Sequence, residues 1–205
     1  MRAMLLIAAL LAAPLAVAND AWNFRVLLDG REIGQHRYAL TSAGDELKLR
    51  SEARFDVRVL FLSAYRYEHE AIEHWDGDCL RALNAQTDDN GRRESVSAAE
   101  RDGRLLVQRA NGPDEYTGCV MSFAYWNPRI LDARQLLNSQ TGELLPVTVT
   151  ELGDEIVAVQ GQQQLTQRHR IVAPGLQIDL WYAGERWVAL EAPAAGGRRL
   201  RYELM

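Results

Sequence analysis

Read by alternation, only His69 and His169 among the ionisable residues fall clearly on apolar strand faces. His69 shares parity with Tyr65, Tyr67 and Ala71, and His169 with Leu165 and Ile171. An imidazole so placed can serve as a general base, because it titrates near neutrality. The competing reading is a core histidine whose nitrogens meet a hydroxyl or a carbonyl. Residues 69–78, His-Glu-Ala-Ile-Glu-His-Trp-Asp-Gly-Asp, place six potential metal ligands in ten positions. On a helix His69 and Glu73 would share a face, whereas on a strand His69 and His74 point apart. The His-Glu-x-x-His order of zinc peptidases is absent, and Asp76-Gly77-Asp78 and Asp88-Asp89-Asn90-Gly91 lack the closing ligands of a calcium loop. These runs read as acidic turns, and no metal is expected.

Nucleophile signatures are equally sparse. Gly-x-Ser-x-Gly, Ser-x-x-Lys and a paired Cys/His do not occur, and Lys48 is the only lysine. No catalytic residue and no cofactor is assigned. Tyr116 to Pro128 is more telling. Phe123, Tyr125 and Trp126 crowd one strand end before Asn127-Pro128 stops it. Such a cluster either plugs its own core or walls the mouth of a cavity, with Asn127 as the polar group and Trp181 and Trp187 extending the wall. Phe123, Tyr125, Trp126, Asn127 and Trp181 are the expected ligand-binding residues.

Cys79 and Cys119 must be read with the N-terminus. Met1 to Ala18 has a positive start at Arg2, an apolar run from Met4 to Leu11 and a small-x-small site at Ala16-Val17-Ala18, the pattern of a cleavable secretory signal. The run is shorter than a membrane span, and no span follows it. The expected organisation is a signal peptide over 1–18 and one periplasmic or secreted domain over 19–205. In an oxidising compartment the cysteine pair reads as a structural disulfide. The full chain carries a formal charge of -5, which argues against nucleic acid, since phosphate contacts need a basic face.

The elements that must carry these residues alternate with period two. From Leu47 to Phe55 the odd positions are apolar or small and the even ones charged. Trp22, Phe24, Val26 and Leu28 share a face, as do Leu176, Ile178, Leu180 and Tyr182, and Leu200, Tyr202 and Leu204. Asp29-Gly30, Asn90-Gly91 and Asp102-Gly103 are two-residue hairpin signals. The pattern predicts an all-β, mainly antiparallel fold: a curled or closed barrel-like sheet of roughly 10–13 strands. One short helix is expected over Arg129 to Asn138, with Pro128 in its first turn.

Several blocks carry a resemblance. They are Trp22-Asn23-Phe24-Arg25-Val26 with Leu28-Asp29-Gly30 and Ile33-Gly34, then Phe61-x-x-Ala64-Tyr65-Arg66-Tyr67, and Phe123-Ala124-Tyr125-Trp126-Asn127-Pro128. Further on stand Leu136-Leu137-Asn138-Ser139-Gln140-Thr141-Gly142, Asp179-Leu180-Trp181-Tyr182 and Trp187-Val188-Ala189-Leu190-Glu191. Together they resemble a bacterial exported family designated domain of unknown function 6134 and, more distantly, other periplasmic β-rich families. The resemblance implies a periplasmic all-β protein and supplies no activity or catalytic residue. By analogy of fold alone, it points toward curled-sheet lipoprotein carriers and sensors of the envelope. The expected function is a non-enzymatic module holding a lipid, acyl chain or other apolar ligand. The alternatives are an envelope protein-interaction module with a fully packed core, and a hydrolase or isomerase using His69 or His169.

Overall fold

Segments with one dry and one wet face, joined by tight turns, pair antiparallel and then must hide the dry face. The computed structural model describes residues 18–43, 46–59 and 62–205. The expected signal peptide therefore lies, but for its last residue, outside the described residues. The first meander comprises β1 (Ala18–Leu28), β2 (Arg31–Ala43), β3 (Glu46–Val59), β4 (Leu62–Asp76), β5 (Cys79–Asp89), β6 (Arg92–Arg101), β7 (Arg104–Arg109) and β8 (Gly112–Thr117). A short hairpin follows, β9 (Gln135–Leu137) with β10 (Leu144–Pro146). The second meander is β11 (Thr148–Val159), β12 (Gln162–Ala173), β13 (Leu176–Ala183), β14 (Arg186–Ala194) and β15 (Arg198–Leu204).

The two meanders join where β15 pairs with β1, from Phe24 opposite Leu204 to Leu28 opposite Leu200. The result is one 13-stranded antiparallel sheet in the order β11-β12-β13-β14-β15-β1-β2-β3-β4-β5-β6-β7-β8. Its two edges, β11 and β8, are not paired with each other among the described residues, so the sheet is curled rather than closed. The three expected hairpin signals all adopt positive φ at both central residues, as at Asp29 and Gly30 (51° and 80°). At Gly34 the requirement is a close approach. A Cβ there would lie 1.9 Å from the Arg54 carbonyl oxygen of the neighbouring strand.

Residues 118–147 cross the concave side of the sheet and pack into its core. The Cys79–Cys119 disulfide ties their start to the β4–β5 turn, and Leu80 N–H donates to the Val120 carbonyl beside it. The expected helix over Arg129 to Asn138 is not formed. Pro128–Asp132 makes a single 3₁₀ turn, with Pro128 in its first turn as anticipated, and Gln135–Leu137 is extended. The reason is burial on two sides. Leu136 and Leu137 are both fully buried, and consecutive residues of a strand point to opposite faces. A strand running through an interior has no wet face, so both leucines find apolar surroundings.

Candidate ligand cavity

Three rows of inward side chains cross β2 to β5 in register. The first runs His36, Ala53, His69, Thr87; the second Tyr38, Ser51, Ala71, Ala85; the third Leu40, Leu49, Glu73, Leu83. Ser51, Ala53, Ala71 and Ala85 are too small to reach the opposite wall. That wall is built by Leu176 and Ile178 of β13, Leu190 and Ala192 of β14 and Tyr202 of β15, with Phe123, Tyr125 and Trp126 from the crossing segment. Between them lies a cavity of about 630 Å³, within the ordinary range for small-molecule sites.

Of the residues expected to bind ligand, Phe123, Tyr125 and Trp126 border this cavity. Asn127 does not. Its side-chain carbonyl accepts from Arg129 N–H (3.0 Å) and its amide donates to Asp78 Oδ1 (2.9 Å), so it caps the 3₁₀ turn and fastens it to the β4–β5 turn. Trp181 is also elsewhere. It has the parity opposite to Ile178 and Leu180, lies between the guanidinium groups of Arg168 and Arg201 (4.8 and 4.3 Å), and donates to Glu155. Trp187 packs behind the wall, 5.2 Å from Tyr125 and 4.3 Å from Phe24 between ring centres.

The expectation that only His69 and His169 share apolar faces needs correction. His69 borders the cavity, but His169 lies against Tyr182 on β12 and outside it. His36, not singled out from the sequence, and Glu73, raised there only as a possible metal ligand, are buried and face the cavity. Their signal was present in the alternation, since His36 shares parity with Tyr38 and Glu73 with Ala71 and Trp75. The metal-like run 69–78 is split by the pleat, with His69 and Glu73 inside and His74 exposed. Among the described residues no group of three or more histidine, cysteine or acidic side chains has metal-binding geometry.

The polar groups of the cavity are held by neutral partners. His36 Nδ1 meets the hydroxyls of Tyr202 (3.2 Å) and Tyr38 (3.1 Å), and its Nε2 meets Ser51 Oγ (2.7 Å). Burial pushes this imidazole well below its ordinary range, so it is neutral and a weak base. His69 Nδ1 pairs with Thr87 Oγ1 at 2.8 Å, and burial pushes its pKa down to about 4. Tyr67 donates to Gln140 Oε1 (3.0 Å). Glu73 accepts from the Trp75 indole N–H (3.1 Å), and burial pushes its carboxyl up to about 7 against the pull of Ser122 and Trp75.

Ser51 and His36 stand at nucleophile–base distance, yet the arrangement lacks the rest of a hydrolytic site. Tyrosine hydroxyls carry no charge to stabilise an imidazolium as a carboxylate does. Ser51 sits in mid-strand between Tyr38 and Ala71, where backbone N–H groups are committed to the ladders and not free to receive an oxyanion.

Comparison with known proteins agrees with this architecture. The sequence model of a family described as Domain of unknown function (DUF6134) matches residues 24–205. No curated protein matches the chain. Among solved structures, the crystal structure of a beta-barrel-like protein of the domain of unknown function DUF1849 from Brucella abortus superposes with a TM-score of 0.67 at 12% identity. The match covers 90% of this chain and 94% of that one. At that identity the likeness is one of fold.

Proposed function

The chain belongs to the family of DUF6134 domains, and we propose that it is a non-enzymatic module that holds an apolar or amphipathic ligand inside its curled sheet. Such a ligand is a lipid, an acyl chain or a molecule of similar build. The observation that carries this reading is the cavity of about 630 Å³ walled by aliphatic and aromatic side chains. Cores are normally filled to the density of organic crystals, and an apolar space of this size is favourable when something apolar occupies it. The signal-like sequence at 1–18 and the Cys79–Cys119 bond support a place in the periplasm or outside the cell. A disulfide of this kind persists where thiols are oxidised.

One observation favours a second reading, contact with an envelope protein. Ile156 and Leu165 are opposite each other in register and 66% and 65% exposed, an apolar pair on the outer surface.

Native mass spectrometry of gently purified protein, together with titration by the neutral lipophilic dye N-phenyl-1-naphthylamine, tests the first reading. A bound organic mass or saturable dye fluorescence is the expected result. A folded protein that carries no ligand and takes up no dye would end the proposal. Expressed in a bacterium with its leader, the protein should appear in the periplasmic fraction beginning at Asn19. Full-length protein retained in the cytosol would refute the address.

A further inference from the structure

We propose that the cavity selects amphiphiles whose polar end is a protonated amine, held by the Glu73 carboxylate. The inference rests on the ligand-holding reading and deepens it by naming the head group.

Two lining side chains other than the histidines carry formal charge, Glu73 and Arg198. Arg198 stands at the rim with its side chain 42% exposed, and its Nε lies 2.9 Å from Asp29 Oδ2. Its charge is already answered. Glu73 is the opposite case. It is 4% exposed, and its cross-strand neighbours are Leu49 and Leu83. Its hydrogen bonds come from uncharged groups, the Trp75 indole and the Ser122 side chain. No lysine or arginine pairs with it among the described residues; Lys48 and Arg50, on either side of its cross-strand neighbour Leu49, are exposed on the other face of β3.

Buried carboxylates are as a rule paired, because the uncompensated charge is costly in a low-dielectric interior. Here the protein supplies hydrogen bonds but no counter-charge. The acid borders a space large enough for a ligand, whose lining also includes Ala71 and Trp126. An ammonium group entering that space would complete the pair where water screens it least, with the Trp126 ring available for cation–π contact. A carboxylate or phosphate would instead meet a second acid and find no buried cation. The histidines cannot substitute, since His36 is engaged at both nitrogens and burial keeps both neutral. The apolar body then lies toward Leu190 and Leu200 of the opposite wall.

Displacement of N-phenyl-1-naphthylamine by dodecylamine, 1-dodecanol and dodecanoate, each below its micellar concentration at pH 8, decides the matter. Dodecylamine should displace the dye at concentrations about tenfold or more below those of the alcohol, with dodecanoate the weakest. In Glu73→Gln the dye should still bind, and the advantage of amine over alcohol should shrink to about twofold or less. Dodecanoate matching or beating the amine on the unsubstituted chain would overturn the assignment, whether or not the variant folds. So would an undiminished amine preference in folded Glu73→Gln. If the dye itself does not bind, the ligand-holding reading fails and carries this inference with it. If the dye binds and the order is reversed, the head-group assignment alone falls.

Discussion

The two halves of the curled sheet obey the same alternation and end differently. Along β5 to β7 the inward positions hold Leu83, Val96, Leu105 and Val107 beside the smaller Ala85 and Ala98, all buried. The crossing segment lies directly against this half. Val120 accepts from Leu80 N–H, Gly142 meets Val107 and Arg109, and Arg109 pairs with Glu143. From β13 through β15 and β1 to β4 the inward rows contain Ser51, Ala53, Ala71 and Ala192, and the larger Tyr38, Phe55, Tyr67 and Tyr202 border open space. Alternation decides which face is dry. Side-chain volume decides whether the dry space is solid or hollow.

That contrast is open to direct test. The largest effect belongs to the solid half: Leu137→Ala, at a fully buried position, should cost about 2–5 kcal/mol in denaturant unfolding. A loss under about 1 kcal/mol would mean that the half is not tightly packed. Next comes the covalent anchor of the crossing segment. Reducing Cys79–Cys119, which are 40 residues apart, should lower stability by about 4 kcal/mol from loop-closure entropy. Dye uptake should weaken with it, since Phe123 and Tyr125 belong to the anchored segment.

A third test concerns the charge in the hollow half. The Glu73 carboxyl is raised from 4.5 to about 7 in the folded chain. Between those values the folded protein holds a proton that the unfolded one has released. The contribution of this group to stability therefore falls as pH rises through that window and becomes a constant penalty above it. Glu73→Gln should consequently stabilise the protein above pH 7, by up to about 3 kcal/mol, and change little below pH 4.5. An equal effect at both pH extremes would contradict the burial argument. Buried His69 works in the other sense. Its pKa is lowered from 6.5 to about 4, so its contribution is present above 6.5 and lost as pH falls toward 4. The smallest effect on stability is expected from Ala71→Leu, within about 1.5 kcal/mol because the added carbons enter open space. The same change should abolish dye uptake, and unimpaired uptake would place the ligand outside the cavity.

Much of this was legible along the chain. Hairpins at Asp29-Gly30, Asn90-Gly91 and Asp102-Gly103 follow from residues that accept positive φ. The disulfide follows from an even cysteine pair in a chain that begins with a signal-like sequence. The inward placement of His36 and Glu73 was legible in the same parity, although a charged or basic residue within an alternating strand invites assignment to the wet side. Trp181 was misplaced for the mirror reason. Aromatic side chains usually go inside, and nothing local reveals that Arg168 and Arg201 of two other strands will cover this one. Leu136 and Leu137 have offsets that suit a helix, and only the two-sided burial of the interior crossing makes a strand the better solution.

Local chemistry along the chain sufficed for the strands, their tight turns, the dry face of each and the cysteine partner, because pleat parity and turn geometry act over a few residues. The hollow and its lone acid were decided by the folded whole. A cavity is the difference between the volume a curled sheet encloses and the volume its side chains fill, and the enclosed volume exists only once β15 has met β1 and residues 118–147 have crossed the interior.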